Sequence, residues 1–351
     1  MSANTAIDLS SRDMMILDAI VNDYISSPEP VGSKTLVKNH NLDISPATIR
    51  KVTSELEMLG YLNKPHTSSG RIPTDKGFRS YVDRLLHLRK LTNEQMSNIE
   101  SNYNLEDLGI KEVLEETSRV LSKLSHNVGV VLSPKLSSSV FSSIEFIKLS
   151  NNSILIVFVT NTGAVYNKKV KVDGSFKPGD LRRASNYLSD VMHGLNLYQI
   201  REKISREMSK EQIRCNYLFS NALKMFENLV DSSDKPSDLY IEGTLNIFNA
   251  PAFKDITEMK KLMKAFEDKR LLMSILDNAI SSEGTAAVII GEESDTEELS
   301  NCSVITSSYS IDGNTLGTLG VIGPKSINYK RVIPLVEYMS QLVSRLFEIL
   351  S

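Results

Sequence analysis

Cysteine and histidine are scarce in this chain of 351 residues, which has two cysteines and five histidines. The cysteines, Cys215 and Cys302, lie far apart in the sequence, and the scattered histidines add no spacing that is typical of metal ligands. Isolated cysteines of this kind are typical of buried thiols in a reducing compartment. We therefore expect a cytoplasmic protein that holds no metal ion and no other cofactor.

Long hydrophobic runs are also missing, since the longest strongly apolar stretch extends only from Ile154 to Val159. A helix needs about 20 apolar residues to cross a bilayer, so a stretch of this length does not form a membrane span. The first ten residues contain neither a basic segment nor an apolar core, which predicts that there is no signal peptide. We expect no membrane partner.

Signatures of catalysis are missing as well, because the sequence contains no nucleophile elbow, zinc-binding helix or kinase signature. Glycines cluster at Gly313, Gly317, Gly320 and Gly323, but no Gly-Lys-Ser/Thr follows them. We interpret this cluster as a turn with close strand packing rather than a phosphate loop. An acidic segment has a spacing that suits no standard cation cage, and we interpret it as a solvated loop. Its members are Glu292, Glu293, Asp295, Glu297 and Glu298. We therefore expect that this protein is not an enzyme.

The net charge of −3 conceals one basic region. Residues 45–90 contain nine Lys or Arg and four Asp or Glu, which is a local balance of +5. A basic patch within an acidic protein is typical of a DNA contact surface, although a solvated helical face has the same composition. The local motifs have to separate these two interpretations.

The first ninety residues have the spacing of three helices, a hairpin and a fourth helix. Ser11 is placed to cap a helix that extends to about Ser26, and Ser33 is placed to cap a short second helix. Ser45-Pro46 starts a third helix, because serine is a favoured N-cap and proline fits the first turn. Helical spacing predicts that this helix buries Ile49, Val52, Leu56 and Leu59.

The opposite face of the third helix carries small, polar and cationic residues, most of them in its first two turns. A recognition helix in the DNA major groove reads bases from this end. Arg50 is a candidate for a bidentate contact to guanine or for a phosphate contact, and Lys51 is a candidate for a phosphate contact. The candidates for hydrogen bonds to phosphates or base edges are Ser45, Thr48 and Ser54.

A hairpin is predicted directly after the third helix, which ends at Gly60. Residues 61–66 are predicted to form a strand, residues 67–70 a turn and Arg71-Ile72 the return strand, before Thr74 caps a fourth helix. This order of elements is that of a winged helix. A hairpin tip of small residues beside a cation approaches a DNA backbone or minor groove closely. The candidate contacts in this hairpin are Arg71, Lys64, His66 and Ser69.

Four runs in this region form a specific pattern: residues 30–33 (Pro-Val-Gly-Ser), 45–50 (Ser-Pro-Ala-Thr-Ile-Arg), 56–62 (Leu-Glu-Met-Leu-Gly-Tyr-Leu) and 65–77 (Pro-His-Thr-Ser-Ser-Gly-Arg-Ile-Pro-Thr-Asp-Lys-Gly). These runs resemble the N-terminal domain of HrcA, a family of bacterial heat-inducible transcription repressors. The last run is long and far more specific than a generic helix-turn-helix match. The sequence departs from the family pattern after Arg50, where Lys51-Val52 stand in place of the usual Asn-Asp.

Beyond residue 88 the pattern changes between helices and strands. Residues 88–127 are predicted to be helical, and four segments between Val128 and Val172 are predicted to form a meander of antiparallel strands. Further helices are predicted over residues 181–232, 255–280 and 329–350. Further strands are predicted over residues 239–247, 286–290, 303–309 and 317–322.

The resemblance to the HrcA family continues in this part of the chain. It includes residues 243–246 (Gly-Thr-Leu-Asn), 290–293 (Ile-Gly-Glu-Glu), 302–303 (Cys-Ser) and 317–324 (Gly-Thr-Leu-Gly-Val-Ile-Gly-Pro). The resemblance implies an α+β multidomain protein with an N-terminal winged helix-turn-helix over residues 1–88. It also implies a GAF-like α+β domain over residues 89–175 and 251–351, interrupted by an inserted dimerisation domain over residues 176–250.

The same resemblance implies a homodimeric repressor of heat-shock (chaperone) genes. Such a repressor binds double-stranded DNA at the CIRCE inverted repeat, and the GroEL chaperonin keeps it in an active fold. The two-fold symmetry of a dimer matches an inverted-repeat operator. Two other classes remain open on the residues alone: a regulator whose GAF-like half binds a small effector, and an enzyme fused to a DNA-binding domain. Ligand-dependent DNA affinity would indicate the first class, and nucleotide turnover would indicate the second.

Overall fold

The computed structural model describes residues 9–41, 43–65, 70–86, 91–103, 109–134, 140–161, 165–171, 176–195, 199–200, 239–253, 255–279, 284–311 and 313–350. The α-helices in these residues are α1 (Ser11–Ser26), α2 (Ser33–His40), α3 (Pro46–Met58), α4 (Asp75–Leu85), α5 (Asn93–Glu100), α6 (Ile110–Ser125), α7 (Pro178–Met192), α8 (Ile256–Glu267), α9 (Lys269–Asn278) and α10 (Tyr329–Leu350). The strands are β1 (Leu62–Asn63), β2 (Ile72–Pro73), β3 (Val128–Leu132), β4 (Phe141–Ser150), β5 (Ser153–Thr160), β6 (Val165–Lys171), β7 (Leu239–Glu242), β8 (Ala287–Ile290), β9 (Cys302–Ile311) and β10 (Asn314–Pro324). This mixed composition is consistent with the predicted α+β class.

The first three helices begin close to the predicted positions, but two of the predicted caps are wrong. The cap of α1 is Ser10, whose hydroxyl accepts from the Asp13 amide while the Asp13 carboxylate accepts from the Ser10 amide. The cap of α2 is Gly32, which offers no side chain, and Ser33 is the first helical residue. The predicted cap of α3 at Ser45 is confirmed, with proline in the first turn.

The hairpin after α3 is shorter than predicted. Strands β1 and β2 pair over two residues each, Leu62 with Pro73 and Asn63 with Ile72. Strand β1 ends there because the Lys64 amide donates to the Asn63 side chain (2.7 Å) rather than to a partner strand. The Thr74 hydroxyl then caps α4, as predicted, by accepting from the Gly77 amide at 3.2 Å.

The larger sheet has five antiparallel strands in the order β7-β3-β10-β9-β8. Alternate residues of its central strands point to opposite faces, so that one face packs on α10 and the other packs on α8 and α9. Ile305 and Leu319 lie on the α10 side, whereas Val304 and Ile322 lie on the α8 and α9 side. The sheet is therefore buried on both faces.

The predicted four-strand meander is wrong, because β3 pairs with β10 and β7 in the five-stranded sheet. Strands β4, β5 and β6 form a second, three-stranded antiparallel sheet. Helix α7 is bound to this sheet through its Ser185 and Ser189 hydroxyls, which accept from the Phe146 and Ile144 amides of β4 at 3.0 and 3.2 Å. The predicted boundary between residues 175 and 176 therefore separates β6 from the helix that packs on its own sheet.

Two further differences concern the ends of elements. The helical region predicted over residues 88–127 is divided among the described residues into α5 and α6. The strand predicted to reach residue 247 ends at Glu242, because Gly243 has a φ of +76° and starts a 3-10 helix over Thr244–Asn249. A Cβ at Gly243 would overlap the Ser122 hydroxyl, so this close approach requires glycine.

The N-terminal helices and the larger sheet share one continuous core. The same apolar cluster includes Ile20 of α1, Leu56 of α3 and Val336 of α10, each of them buried. None of the helices in the described ranges combines the length and the apolar character that a bilayer crossing requires.

Candidate nucleic-acid interface

The start of α3 is held by its own side chains. The Ser45 hydroxyl accepts from the Thr48 amide (3.1 Å) and is hydrogen-bonded to the Thr48 hydroxyl (2.9 Å). Ile49, Val52 and Leu56 are buried, as predicted, whereas Leu59 is only half-buried at the end of the helix. Because one face is fixed against the core, the opposite face is turned to solvent over the whole first half of the helix.

The solvent-facing side chains of α3 include the two cations that are predicted from the sequence to contact DNA. The structure exposes Ala47, Arg50, Lys51 and Ser54, whereas Thr48 is half-buried. The Nε of Arg50 donates to the Ser33 hydroxyl of α2 at 3.4 Å, and its remaining N–H groups make no other hydrogen bond to the described residues. Lys51 is 79% exposed, with its Nζ 4.0 Å from Glu55 Oε1. Arg50 is thus weakly anchored, and Lys51 extends into solvent.

The hairpin cations are less accessible than those of α3. Arg71 is only 17% exposed, and its guanidinium lies 2.8 Å from the Glu57 carboxylate of α3. Its backbone amide and carbonyl both pair with Val31, each at 2.9 Å. Lys64 is half-buried at the end of β1. The remaining predicted contacts, His66 and Ser69, lie outside the described residues.

Arg71 therefore joins three segments: the hairpin, α3 and the residues that precede α2. Sequence reasoning missed its partner Glu57, because the two residues belong to different elements and no local spacing connects them. It also missed Lys76, whose Nζ donates to the Leu59 carbonyl (2.9 Å) and lies 4.3 Å from the centroid of the Tyr61 ring. A cation at this position donates a hydrogen bond to a carbonyl that the end of α3 leaves free. It also interacts favourably with the negative end of the helix dipole.

An open groove of about 920 Å³ runs between the first turn of α1 and the exposed face of α3. Its charged lining residues are Arg12, Asp13, Lys51 and Glu55. These charges balance, so the groove itself does not concentrate anions. The groove leaves the first turns of α3 accessible from the side of α1. A helix that enters a DNA groove requires this accessibility.

The features considered for catalysis have other roles in the structure. Gly317 and Gly320 lie in β10, where a Cβ would overlap Tyr309 and the Ile305 carbonyl respectively, and Gly313 forms the turn before it with a φ of +76°. The predicted turn with close strand packing is therefore confirmed. Cys302 is buried in β9, and burial raises the pKa of its thiol. Among the described residues, no group of three or more His, Cys, Asp or Glu side chains is placed to hold a metal ion.

Comparison with known proteins connects the chain to one family. The family described as "HrcA protein C terminal domain" matches residues 111–333. The heat-inducible transcription repressor HrcA of Geobacter sulfurreducens is 42% identical over 341 residues, which covers 97% of this chain and 99% of the relative. The protein with the same name from Syntrophobacter fumaroxidans is 39% identical over 341 residues, with coverages of 97% and 98%. Both are named as transcription repressors and not as enzymes.

The fold also occurs in a crystal structure described as that of a hypothetical protein at 2.2 Å resolution. That protein is 23% identical in sequence and superposes with a TM-score of 0.65, over 98% of this chain and 100% of the other. At this level of identity the likeness concerns the fold alone.

Proposed function

This chain belongs to the HrcA family of heat-inducible transcription repressors, and on that premise we propose that it represses heat-shock (chaperone) genes by binding their operator DNA. The observation that carries the proposal is the exposed start of α3, where Arg50 and Lys51 face solvent opposite a buried face. A helix with this arrangement, followed by a hairpin, can present its N-terminal residues to base edges in the major groove.

In this proposal, helices α1 to α3 and the hairpin act as a winged helix-turn-helix, with α3 as the recognition helix. Arg50 contacts a base or a phosphate, Lys51 contacts phosphate, and Ser45, Thr48 and Ser54 supply hydrogen bonds along the same face. Lys64, His66 and Ser69 contact the DNA backbone from the hairpin. Arg71 acts indirectly, since its pair with Glu57 holds the hairpin against α3.

We assign the five-stranded sheet and its helices to the GAF-like domain, and the segment between β3 and β7 to the inserted dimerisation domain. The separate pairing of β4 to β6, with α7 packed on them, supports a start of this insertion near residue 140 rather than residue 176. A symmetric dimer formed through the insertion presents two recognition helices, which suits the CIRCE inverted repeat. GroEL then shifts the population towards the competent fold, until unfolded clients occupy the chaperonin.

The test is fluorescence anisotropy of the purified full chain on a CIRCE duplex and on a scrambled duplex. The salt concentration is held fixed, because phosphate contacts make affinity strongly salt-dependent. We expect specific binding to be at least about a thousandfold tighter than scrambled binding, and GroEL to increase the active fraction. Equal weak binding of both duplexes by folded protein would refute operator recognition. Specific binding without any GroEL effect would refute only the chaperonin part.

A further inference from the structure

The acidic loop that follows β8 holds the start of helix α4. The Asp75 carboxylate accepts from the Lys325 ammonium group at 2.7 Å and from the Glu292 amide at 3.1 Å. Gly291 has a φ of +55°, and a Cβ built on it would overlap the Asp75 carboxylate. The loop is therefore shaped around Asp75, and this explains the glycine in the Ile-Gly-Glu-Glu motif that the proposed DNA contacts leave unexplained.

Arg79 makes a second connection one turn further along the same helix. Its Nε donates to the Glu293 carboxylate at 2.8 Å, and a second guanidinium nitrogen donates to Glu293 and to the Val288 carbonyl of β8. The Glu293 carboxylate also accepts from the Ile290 amide at 2.9 Å, which fixes its orientation. The hydrogen bond to Glu293 raises the pKa of Arg79. Because two guanidinium nitrogens pair with one carboxylate, this geometry determines the orientation of Arg79 relative to Glu293 as well as the distance between them.

Aromatic packing lies directly beneath the two ion pairs. Phe78 and Tyr81 of α4 pack on Tyr329 at the start of α10, with ring centroids 6.1 and 6.5 Å apart. The Tyr329 hydroxyl is hydrogen-bonded to the Ser303 hydroxyl at 2.6 Å and donates to the Lys325 carbonyl at 2.9 Å. We use the term α4 seam for three contacts: Asp75 with Lys325 and the Glu292 amide, Arg79 with Glu293 and the Val288 carbonyl, and Phe78 with Tyr329.

The other side of α4 is joined to the end of the recognition helix. The Thr74 hydroxyl donates to the Gly60 carbonyl at 2.7 Å, and the Lys76 ammonium group donates to the Leu59 carbonyl at 2.9 Å. A Cβ at Gly77 would overlap the Tyr61 carbonyl, so α4 and the residues after α3 are in close contact. A rotation at the α4 seam would therefore move α3.

We propose that Asp75 and Arg79 are positioning residues that fix the recognition helix relative to the sheet, and so select the spacer length of the inverted repeat. This inference rests on the proposed function, since it concerns a dimer with two recognition helices. Half-sites on DNA rotate about the helix axis with each added base pair, so a rigidly held pair of helices accepts one spacing. Helices whose angle is no longer fixed by the ion pairs accept several spacings.

The ion pairs suit this role better than a role in stability. The side chains of Asp75 and Lys325 are 24% and 26% exposed, and those of Arg79 and Glu293 are 28% and 38% exposed. Partly exposed ion pairs contribute little to the free energy of unfolding. The buried aromatic contacts hold α4 in place, while the charged groups determine its angle.

The test compares wild type with Asp75→Asn, Arg79→Gln and the double variant, on duplexes whose spacer changes in single base pairs over about one helical turn of 10.5 base pairs. A duplex with one half-site measures the recognition unit alone. Lys261→Gln is the matched control, because it removes a cation paired with Glu297 on the same acidic segment, away from α4. Anisotropy gives the affinity on each duplex.

We expect wild type and Lys261→Gln to prefer one spacer by at least about tenfold. In the double variant this preference should fall below about threefold, while single half-site affinity stays within about twofold of wild type. An unchanged preference in the double variant would overturn the proposal. So would a loss of half-site binding that matches the loss on the full repeat, because the residues would then act through folding. Wild type that binds the full repeat no more tightly than scrambled DNA would instead refute the proposed function.

Discussion

Arg50 and Lys51 are neighbours on α3, yet the structure gives them different freedom. The Arg50 guanidinium is connected to Ser33 through its Nε and keeps its outer N–H groups directed to solvent. Lys51 has only a distant partner in Glu55, at 4.0 Å. A planar guanidinium suits bidentate contact with guanine, whereas an ammonium group suits phosphate.

We expect Arg50→Ala to weaken operator binding by about 1–3 kcal/mol and to relax discrimination at one base pair. Lys51→Ala should weaken binding to all sequences about equally and reduce the salt slope by about 1. The measurement is anisotropy on operator variants over a salt series. Arg50→Lys, which keeps the charge without the fork, serves as the control and should lose the discrimination. If Arg50→Ala weakened binding to scrambled DNA as much as binding to the operator, Arg50 would be a phosphate contact.

Prediction at the residue scale succeeded at the start of α3, where the cause is local. Ser45 and Pro46 were identifiable because a cap and a first-turn proline depend only on adjacent residues. Arg71 was predicted as a DNA contact, and its pair with Glu57 has no local signature. The partner of Asp75 is even more remote, since Lys325 is brought to it only by the packing of α4 on the sheet.

Helices were easier to predict than strand partners. The bounds of α10 match the predicted helix from Tyr329 to Leu350, because its apolar spacing is regular over the whole length. The pairing of β3 with β10 joins Val131 to Leu319, and no feature near either strand indicates the other. The positions of the strands can therefore be predicted from the sequence. The sheet that each strand joins depends on packing between distant segments, and this assignment determines where the proposed insertion starts.

The hairpin gives a prediction at this scale, because the residues that lead into its second strand are in contact with the segment before α2. A Cβ at Gly70 would overlap the Val31 carbonyl, beside the two hydrogen bonds between Val31 and Arg71. We expect Gly70→Ala to displace the hairpin and to lower the free energy of unfolding by about 1–3 kcal/mol, with weaker operator binding. Thermal unfolding followed by circular dichroism measures the first effect, and anisotropy measures the second.

Gly32→Ala is the matched control for this hairpin substitution, because its Cβ would meet only Thr35 Oγ1, at an ordinary 3.7 Å. Its cost should stay below about 1 kcal/mol, since glycine is a moderate N-cap. Equal losses of stability in the two variants would show that the overlap at Val31 is relieved by a small local shift. The hairpin would then not be held by that contact.

At the scale of the whole molecule, helices α1 to α4 and the five-stranded sheet share one core, while the three-stranded sheet is a separate pairing unit. Phe78 is 1% exposed and joins the first two by packing on both Tyr24 and Tyr329. A shared core makes their unfolding cooperative, whereas separate cores would open independently.

We therefore expect Phe78→Ala, at a cost of about 3–5 kcal/mol, to increase hydrogen exchange in α1 and β9 together. Phe158→Ala is the matched control, because Phe158 is equally buried but packs on Phe141 in the three-stranded sheet. Exchange measured on peptides from α1, β5 and β9 should rise only in β5 for this control. If Phe78→Ala loosened α1 and left β9 protected, the two units would be independently stable. Heat would then release the N-terminal helices without disturbing the sheet, and loss of the proposed repression would not require unfolding of the whole core.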